Sequence, residues 1–363
     1  MKNRDHQPRS RRRTVGPCLA LAILVLPGQG PIFRAEASAQ LPEIREGQRV
    51  PPEVREIYRR GLEFLSRQQT PDGNWETSHR GVGVTALAVL CFLGSGEDPQ
   101  FGPYADSVRM ALRSIVRQQD PQTGYFGGSM YHHAFAMLAL AEAYGCVDDE
   151  WLWEGEATPA ARLADSLELA VRGAVTSQRS NPSGAWRYSP GGSDADTSVA
   201  GGVLMGLLAA RNAGLDVPQE SIDRAIAYFV RMTANSGQVA YSGGIGGFDE
   251  SLARIAIATL VYAVARRSDL PQYEATLGYL QKKVRSGEPA QAGSQYQNYY
   301  QAQALFQGDY EAWQLWNDSL IGELSSSQQP DGSFRGSQDA YVCTTLSLLS
   351  LAVNFRFLPI YER

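Results

Sequence analysis

A single helical unit recurs along this chain and leaves it few ways to fold. Its first copy spans residues 60–96. An amphipathic helix runs into Gln68-Gln69, with Val54, Ile57, Tyr58, Leu62 and Leu65 at helical spacing. A polar turn follows, Thr70-Pro71-Asp72-Gly73-Asn74-Trp75, and then a nearly all-apolar stretch from Gly83 to Leu93. An amphipathic helix has one face to bury. A helix apolar on every side has to be surrounded. The second kind therefore predicts an inner position and the first an outer one.

The unit returns five times. Tyr104–Gln119, Gly124-Tyr125-Phe126 and Tyr131–Tyr144 form the second copy. Pro159–Gln178, Gly184-Ala185-Trp186 and Asp196–Arg211 form the third, after an acidic insertion at 146–158 that carries Trp151 and Trp153. Pro218–Thr233, a glycine-rich loop at 241–250 and Ser251–Arg267 form the fourth. Gln272–Arg285 and Gln295–Phe306 make a shorter fifth. Tyr310–Gln329, Pro330-Asp331-Gly332-Ser333-Phe334 and Ala340–Phe355 make the sixth. The turn glycines Gly73, Gly124 and Gly184 are 51 and 60 residues apart. Repeats of such a period are stacked helical hairpins, none able to bury its apolar helix alone. Six units favour a closed ring over an open solenoid. The expected fold is all-α: a toroid over 53–357 with an inner and an outer ring of helices and a short tail at 358–363.

The N-terminus reads differently. Lys2, Arg4, Arg9 and Arg11-Arg12-Arg13 precede an apolar stretch from Val15 to Leu26, and Ala37-Ser38-Ala39 has the form of a cleavage site. This is the layout of a secretory signal over 1–39, followed by a polar lead-in at 40–52. The apolar stretch falls short of the roughly 20 residues that span a bilayer, so stable membrane insertion is not expected. Loss of 1–39 removes seven basic and two acidic residues and leaves a net charge near −10. Such a chain is a poor partner for nucleic acid. Cys91, Cys146 and Cys343 remain, an odd number that argues against a disulfide framework. The chain is expected to be exported, without cofactor or metal.

At its turns the chain resembles the terpene cyclase and protein prenyltransferase superfamily of α/α toroids. The likeness rests on a Gln, Gly-x-aromatic signature: Gln69 to Trp75, Gln329 to Phe334, and looser copies at Gly124-Tyr125-Phe126 and at Gln178 with Gly184-Ala185-Trp186. It covers residues 53–357. The roles expected of these residues are structural: a tight turn for Gly, a plug between hairpins for the aromatic, and a bond to free helix-end groups for Gln.

The resemblance also implies chemistry. Ser193-Asp194-Ala195-Asp196-Thr197 looks like the acid motif with which squalene–hopene type cyclases protonate an alkene, one Asp short. Asp194 and Asp196 are therefore the catalytic candidates, with a helix cap as the structural alternative. The zinc ligands of the prenyltransferase branch have no match, since Val342 stands where Asp339-Ala340-Tyr341-Val342-Cys343 would need His. His132, His133 and Tyr341 are ligand-binding candidates at inner-helix starts. Three functions follow as expectations. The first is an apolar, isoprenoid-like ligand in the lumen, with reduced or no catalysis. The second is an exported interaction module offering Trp151 and Trp153 to a protein partner. The third is a glycan-active toroid using Asp72, Asp194, Trp75 and Trp186.

Overall fold

The computed structural model describes residues 50–77, 81–157, 159–243, 250–288, 290 and 294–361. The signal at 1–39 and the lead-in up to residue 49 lie outside the described residues, as do 244–249 of the glycine-rich stretch. The described residues of the 49–363 unit form thirteen α-helices: α1 (Pro52–Gln68), α2 (Gly83–Leu93), α3 (Ala105–Arg117), α4 (Met130–Tyr144), α5 (Asp149–Leu152), α6 (Leu163–Ser180), α7 (Thr197–Asn212), α8 (Gln219–Met232), α9 (Leu252–Val264), α10 (Pro271–Arg285), α11 (Gln295–Gly308), α12 (Tyr310–Ser327) and α13 (Ala340–Ala352).

Six of them close a ring. α2 packs on α4, α4 on α7, α7 on α9, α9 on α11, α11 on α13, and α13 returns to α2. Five of these are the apolar helices, and every residue of α2 is buried; the sixth, α11, carries Gln295, Asn298, Gln301 and Gln303 among its buried residues. The amphipathic helices lie outside, most of them in the groove between two inner ones. α1 closes the circle against α13 and α2, and α10 sits against α9 and α11. α3 shows why: Val108, Ala111, Leu112 and Ile115 face inward while Asp106 and Arg117 stay in water.

The recurring turn is a staple. Gly73 N donates to Thr70 O and Thr70 N to Asn74 O, both at 2.9 Å. Gln69 Nε2 donates to Gly73 O at 3.1 Å and to Ser107 O, in the next outer helix, at 2.9 Å. Gln119 does the same to Gly124 O and Ser166 O, and Gln178 to Gly184 O and Ser221 O. Each turn is thus tied to the hairpin that follows it. The last staple closes the ring, with Gln328 Nε2 reaching Gly332 O at 3.0 Å and Ile57 O of α1 at 2.9 Å. The sequence signature was counted from Gln329; the geometry moves it by one, because Gln329 N donates to Ser333 O as Thr70 N does to Asn74 O. Gly73 has φ +81, and a methyl group there would overlap the Met110 carbonyl of α3. Turn and neighbouring helix meet backbone to backbone, a contact that needs glycine. Trp75 and Trp186 are buried and donate Nε1–H to Leu65 O and Ala174 O, each at 2.9 Å.

The fourth turn lies elsewhere than expected. Ala234 N donates to Gln238 O and Gly237 N to Ala234 O, the same bonds as in the first turn. The turn therefore precedes the glycine-rich stretch. Glu250 pairs with Lys283 at 2.5 Å, and Ser251 caps α9, accepting from Arg254 N. Asp249 lies outside the described residues.

The tail belongs to the ring. Pro359–Tyr361 form a 3₁₀ turn against α7, with Leu358, Ile360 and Tyr361 buried. Gln307 Nε2 donates to Tyr361 O at 3.1 Å. Among the described residues no helix is long and apolar enough to cross a membrane.

Candidate functional site

Every inner helix follows an outer one through a turn, so the inner-helix N-termini gather at one mouth of the ring. Asp196 sits at the start of α7. Its backbone N donates to Trp186 O, it forms an isolated bridge with Ser242, and Thr197 N donates to Tyr241 O. The side chain caps the helix, Oδ1 accepting from Val199 N at 2.8 Å. The cap uses one oxygen only. Oδ2 is buried without a hydrogen-bond partner among the described residues. Burial raises the Asp196 pKa above the ordinary carboxylate value, against the opposing pull of the Val199 N–H and the Arg187 charge. Asp194 is more exposed and pairs with Arg187.

Tyrosines surround this group. Tyr188 and Tyr241 share a hydroxyl–hydroxyl bond of 2.5 Å, and the Tyr131 ring lies 6.0 Å from that of Tyr188. Burial pushes the Tyr131 pKa up to about 12, and the charge of Asp196 adds to it. Burial also raises the pKa of Tyr241 and of Tyr228 on α8, with the charge of Asp196 adding to both; the Tyr228 hydroxyl is buried without a partner among the described residues.

Below the mouth the aromatic series crosses the ring. α4 and α11 are opposite members of the inner six. Tyr131 of α4 and Tyr296 of α11 approach hydroxyl to hydroxyl at 3.5 Å, and the Phe135 and Tyr299 rings stand 6.3 Å apart. Tyr300 stacks edge-on to both Tyr296 and Tyr299, with centroids at 5.0 and 4.8 Å. A methyl group on Gly202 of α7 would lie 3.8 Å from the Tyr300 hydroxyl. Aromatic side chains therefore occupy the middle of the ring.

The predicted residues separate. Asp194 and Asp196 come together at the mouth. His132 Nδ1 accepts from Gly83 N at 3.1 Å, between α4 and α2. His133 is wholly buried against α6: Nε2 bonds Ala170 O at 3.1 Å and Nδ1 accepts from Phe126 N at 3.4 Å. Burial lowers its pKa to about 4, so the ring is neutral. Tyr341 stacks on Phe64 of α1 at 5.8 Å, in the packing between inner and outer rings. Asp339 caps α13 at Tyr341 N and Val342 N. Tyr131, Tyr188, Tyr241, Tyr296 and Arg187 are not marked as site residues by the sequence; the one signal it holds is the tyrosine spacing of Tyr296, Tyr299 and Tyr300 on one helix.

Two expectations are corrected. Trp151 and Trp153 are not offered to solvent: Trp153 is buried, Trp151 half-buried, and Arg109, Arg113 and Arg117 lie over their rings at 5.3–5.9 Å. They anchor the insertion. Trp75 and Trp186 are likewise buried with their N–H groups used, so neither gives a sugar a stacking surface.

No family model matches the sequence, and no curated protein does. Solved structures do match. Type II terpene cyclase MstE from Scytonema is 15% identical, with a TM-score of 0.57, and the match covers 84% of this chain and 99% of that one. A variant of it, solved in complex with geranylgeranyl dihydroxybenzoate, is 16% identical at TM-score 0.57, covering 84% and 98%. The GH76 α-mannanase BT2949 of Bacteroides thetaiotaomicron is 10% identical at TM-score 0.58, covering 84% and 96%. These likenesses show the fold: the chain is an α/α toroid of the kind the terpene cyclases use, and glycan-active enzymes use it too.

Proposed function

We propose that this protein is an exported binding protein that seats an apolar, isoprenoid-like molecule at the tyrosine-lined mouth of the ring. The observation that carries the reading is Asp196: a buried carboxyl shifted toward its neutral form, with one oxygen unused, set among Tyr131, Tyr188 and Tyr241. An apolar surround with one or two unpaired polar groups is the usual form of a small-molecule site. The unused Oδ2 offers a hydroxyl end of the ligand a hydrogen-bond acceptor that is already desolvated. A toroid neighbour, MstE, has been solved holding an isoprenoid-bearing molecule, which supports the ligand class. Cyclase-type turnover is not part of the proposal, because the acid motif is one Asp short and aromatic rings fill the depth below it. The basic start, short apolar stretch and Ala37-Ser38-Ala39 support export.

A second reading is a non-catalytic interaction module, favoured by the aromatic crossing from α4 to α11. Mass spectrometry of an organic extract of the purified protein separates the two. A recurring isoprenoid, reduced in Asp196→Asn and in Tyr188→Ala, is the expected result. A clean extract from well-folded protein would overturn the ligand reading in favour of the module.

A further inference from the structure

The end of the ring opposite the mouth, where the inner helices finish, has a character of its own. Two hollows lie there, of about 600 and 620 Å³. They flank one pair of loops, 94–104 and 144–148, which are tied together where Asp148 N donates to Gln100 Oε1 at 3.0 Å. Three of the chain's large exposed apolar side chains sit on these walls: Phe101 at 83% exposure, Phe357 at 56% and Tyr144 at 40%. Most of the chain's aromatics are buried or half-buried, so this concentration is not accidental scatter. Exposed apolar groups gathered in one place mark interaction sites.

Carboxylates outnumber cations around them. The exposed Glu97 and Asp98 line the first hollow together with Glu142, which is buried and accepts from Ile360 N at 3.4 Å, and Asp148, Asp149 and Glu150 line the second. The cation among the described lining residues is Arg162, paired with Asp149 at 3.5 Å. The C-terminal ends of α2, α4 and α7 also point here, through Leu93, Gly145 and Ala213. The negative ends of these helix dipoles add to the charge.

We propose that this end of the ring is a docking face for a basic segment of a partner protein, one that carries apolar side chains into the two hollows. Charge complementarity selects the occupant: an acidic or uncharged apolar segment would leave the carboxylates unanswered or repelled. The face is separate from the mouth, so the proposal stands independently of what the mouth binds.

The test is a fluorescence-anisotropy titration of the purified full chain with a labelled peptide of Lys-Leu-Leu-Lys repeats, beside one of Glu-Leu-Leu-Glu repeats. The lysine peptide is expected to bind, more weakly as salt rises, and the glutamate peptide not to bind. Replacing Glu97→Lys with Glu150→Lys, or Phe101→Ser with Phe357→Ser, is expected to weaken binding about tenfold or more. These side chains are exposed, and unchanged melting of the variants will separate lost docking from lost folding. A benzophenone version of the peptide should crosslink within 96–101, 144–150 or 357–359. Equal binding of both peptides, no binding of the lysine peptide, indifference to both pairs of substitutions, or crosslinks confined to the other end would each overturn the proposal.

Discussion

Replacing Gly124 and Gly184 by alanine tests whether the turns really are backbone-to-backbone staples. Both glycines have left-handed backbone, with φ of +74 and +77. An L side chain in that conformation costs about 1–2 kcal/mol at either site. The surroundings differ. A methyl group on Gly124 would run into the Leu169 carbonyl of α6, backbone that cannot rotate away, whereas the nearest atom to one on Gly184 is Arg224 O at 3.6 Å, an ordinary contact. Forcing α6 outward adds an overpacking cost of about 1–3 kcal/mol. Gly184→Ala should therefore destabilise by about 1–2 kcal/mol and Gly124→Ala by about 2–5 kcal/mol. Urea unfolding followed by far-ultraviolet circular dichroism measures both. Equal losses in the two variants, within about 0.5 kcal/mol, would refute the reasoning, since conformation alone would then account for the repeated glycine.

Three further outcomes are expected. Gln328→Ala removes the donor to two carbonyls and should cost about 1–3 kcal/mol, while Gln329→Ala, whose amide bonds only Ser327 O, should cost under about 0.5 kcal/mol; denaturant midpoints compare them. His133, with its pKa lowered from 6.5 to about 4 by burial, is neutral in the fold and takes up a proton more readily when unfolded. Its contribution is complete above pH 6.5 and is lost as pH falls toward 4, amounting to about 2 kcal/mol between about pH 7 and pH 5, and His133→Gln should flatten that part of the stability profile. Asp196→Ala should cost about 0.5–2 kcal/mol through the lost cap, whereas Asp196→Asn keeps an acceptor for Val199 N and sheds the buried charge, so its melting should match or exceed that of the parent at neutral pH.

The sequence carried the ring because the ring is built from local contrasts. An amphipathic helix, a glycine turn and an apolar helix are each visible within a few tens of residues, and Gln69, Gly73 and Trp75 do their work within that span or on the next helix. Where the local marks were missing the reading slipped. The fourth turn has Thr233 where the first three turns and the last have Gln, and Val239 where they have an aromatic, so in the sequence the conspicuous glycines that follow stand out in its place. An acidic insertion is usually solvated, so the sequence makes Trp151 and Trp153 look exposed; the arginines that cover them come from α3, some forty residues earlier. Asp196 was legible as a cap by residue type. Its unused oxygen was not, because that depends on where Trp186 and Tyr241 place it.

The tyrosines at the centre show the limit most clearly, and they bear on function. Tyr131 and Tyr296 are 165 residues apart and meet only because six hairpins close a circle. No local pattern encodes that meeting. Yet it decides how deep a ligand can go. Rings from opposite helices occupy the middle, and Tyr361 is buried at the far end, where burial first, and then Tyr299, Tyr58, Glu142 and Cys91 on four different helices, raise the pKa of its hydroxyl. A ring packed from both sides gains stability from the same side chains that shorten its lumen, since buried aromatics contribute most to a core. What remains for binding is then the mouth around Asp196 and the acidic, aromatic face at the opposite end. Tyr300→Ala joins the two ideas: it should destabilise the protein by about 3–5 kcal/mol, as truncation of a large core aromatic does, while deepening the mouth toward α7. If Tyr300→Ala instead left stability unchanged, the aromatic crossing would be a loose lining rather than the packed centre of the ring, and a deep lumenal ligand would fit the fold better than a shallow one.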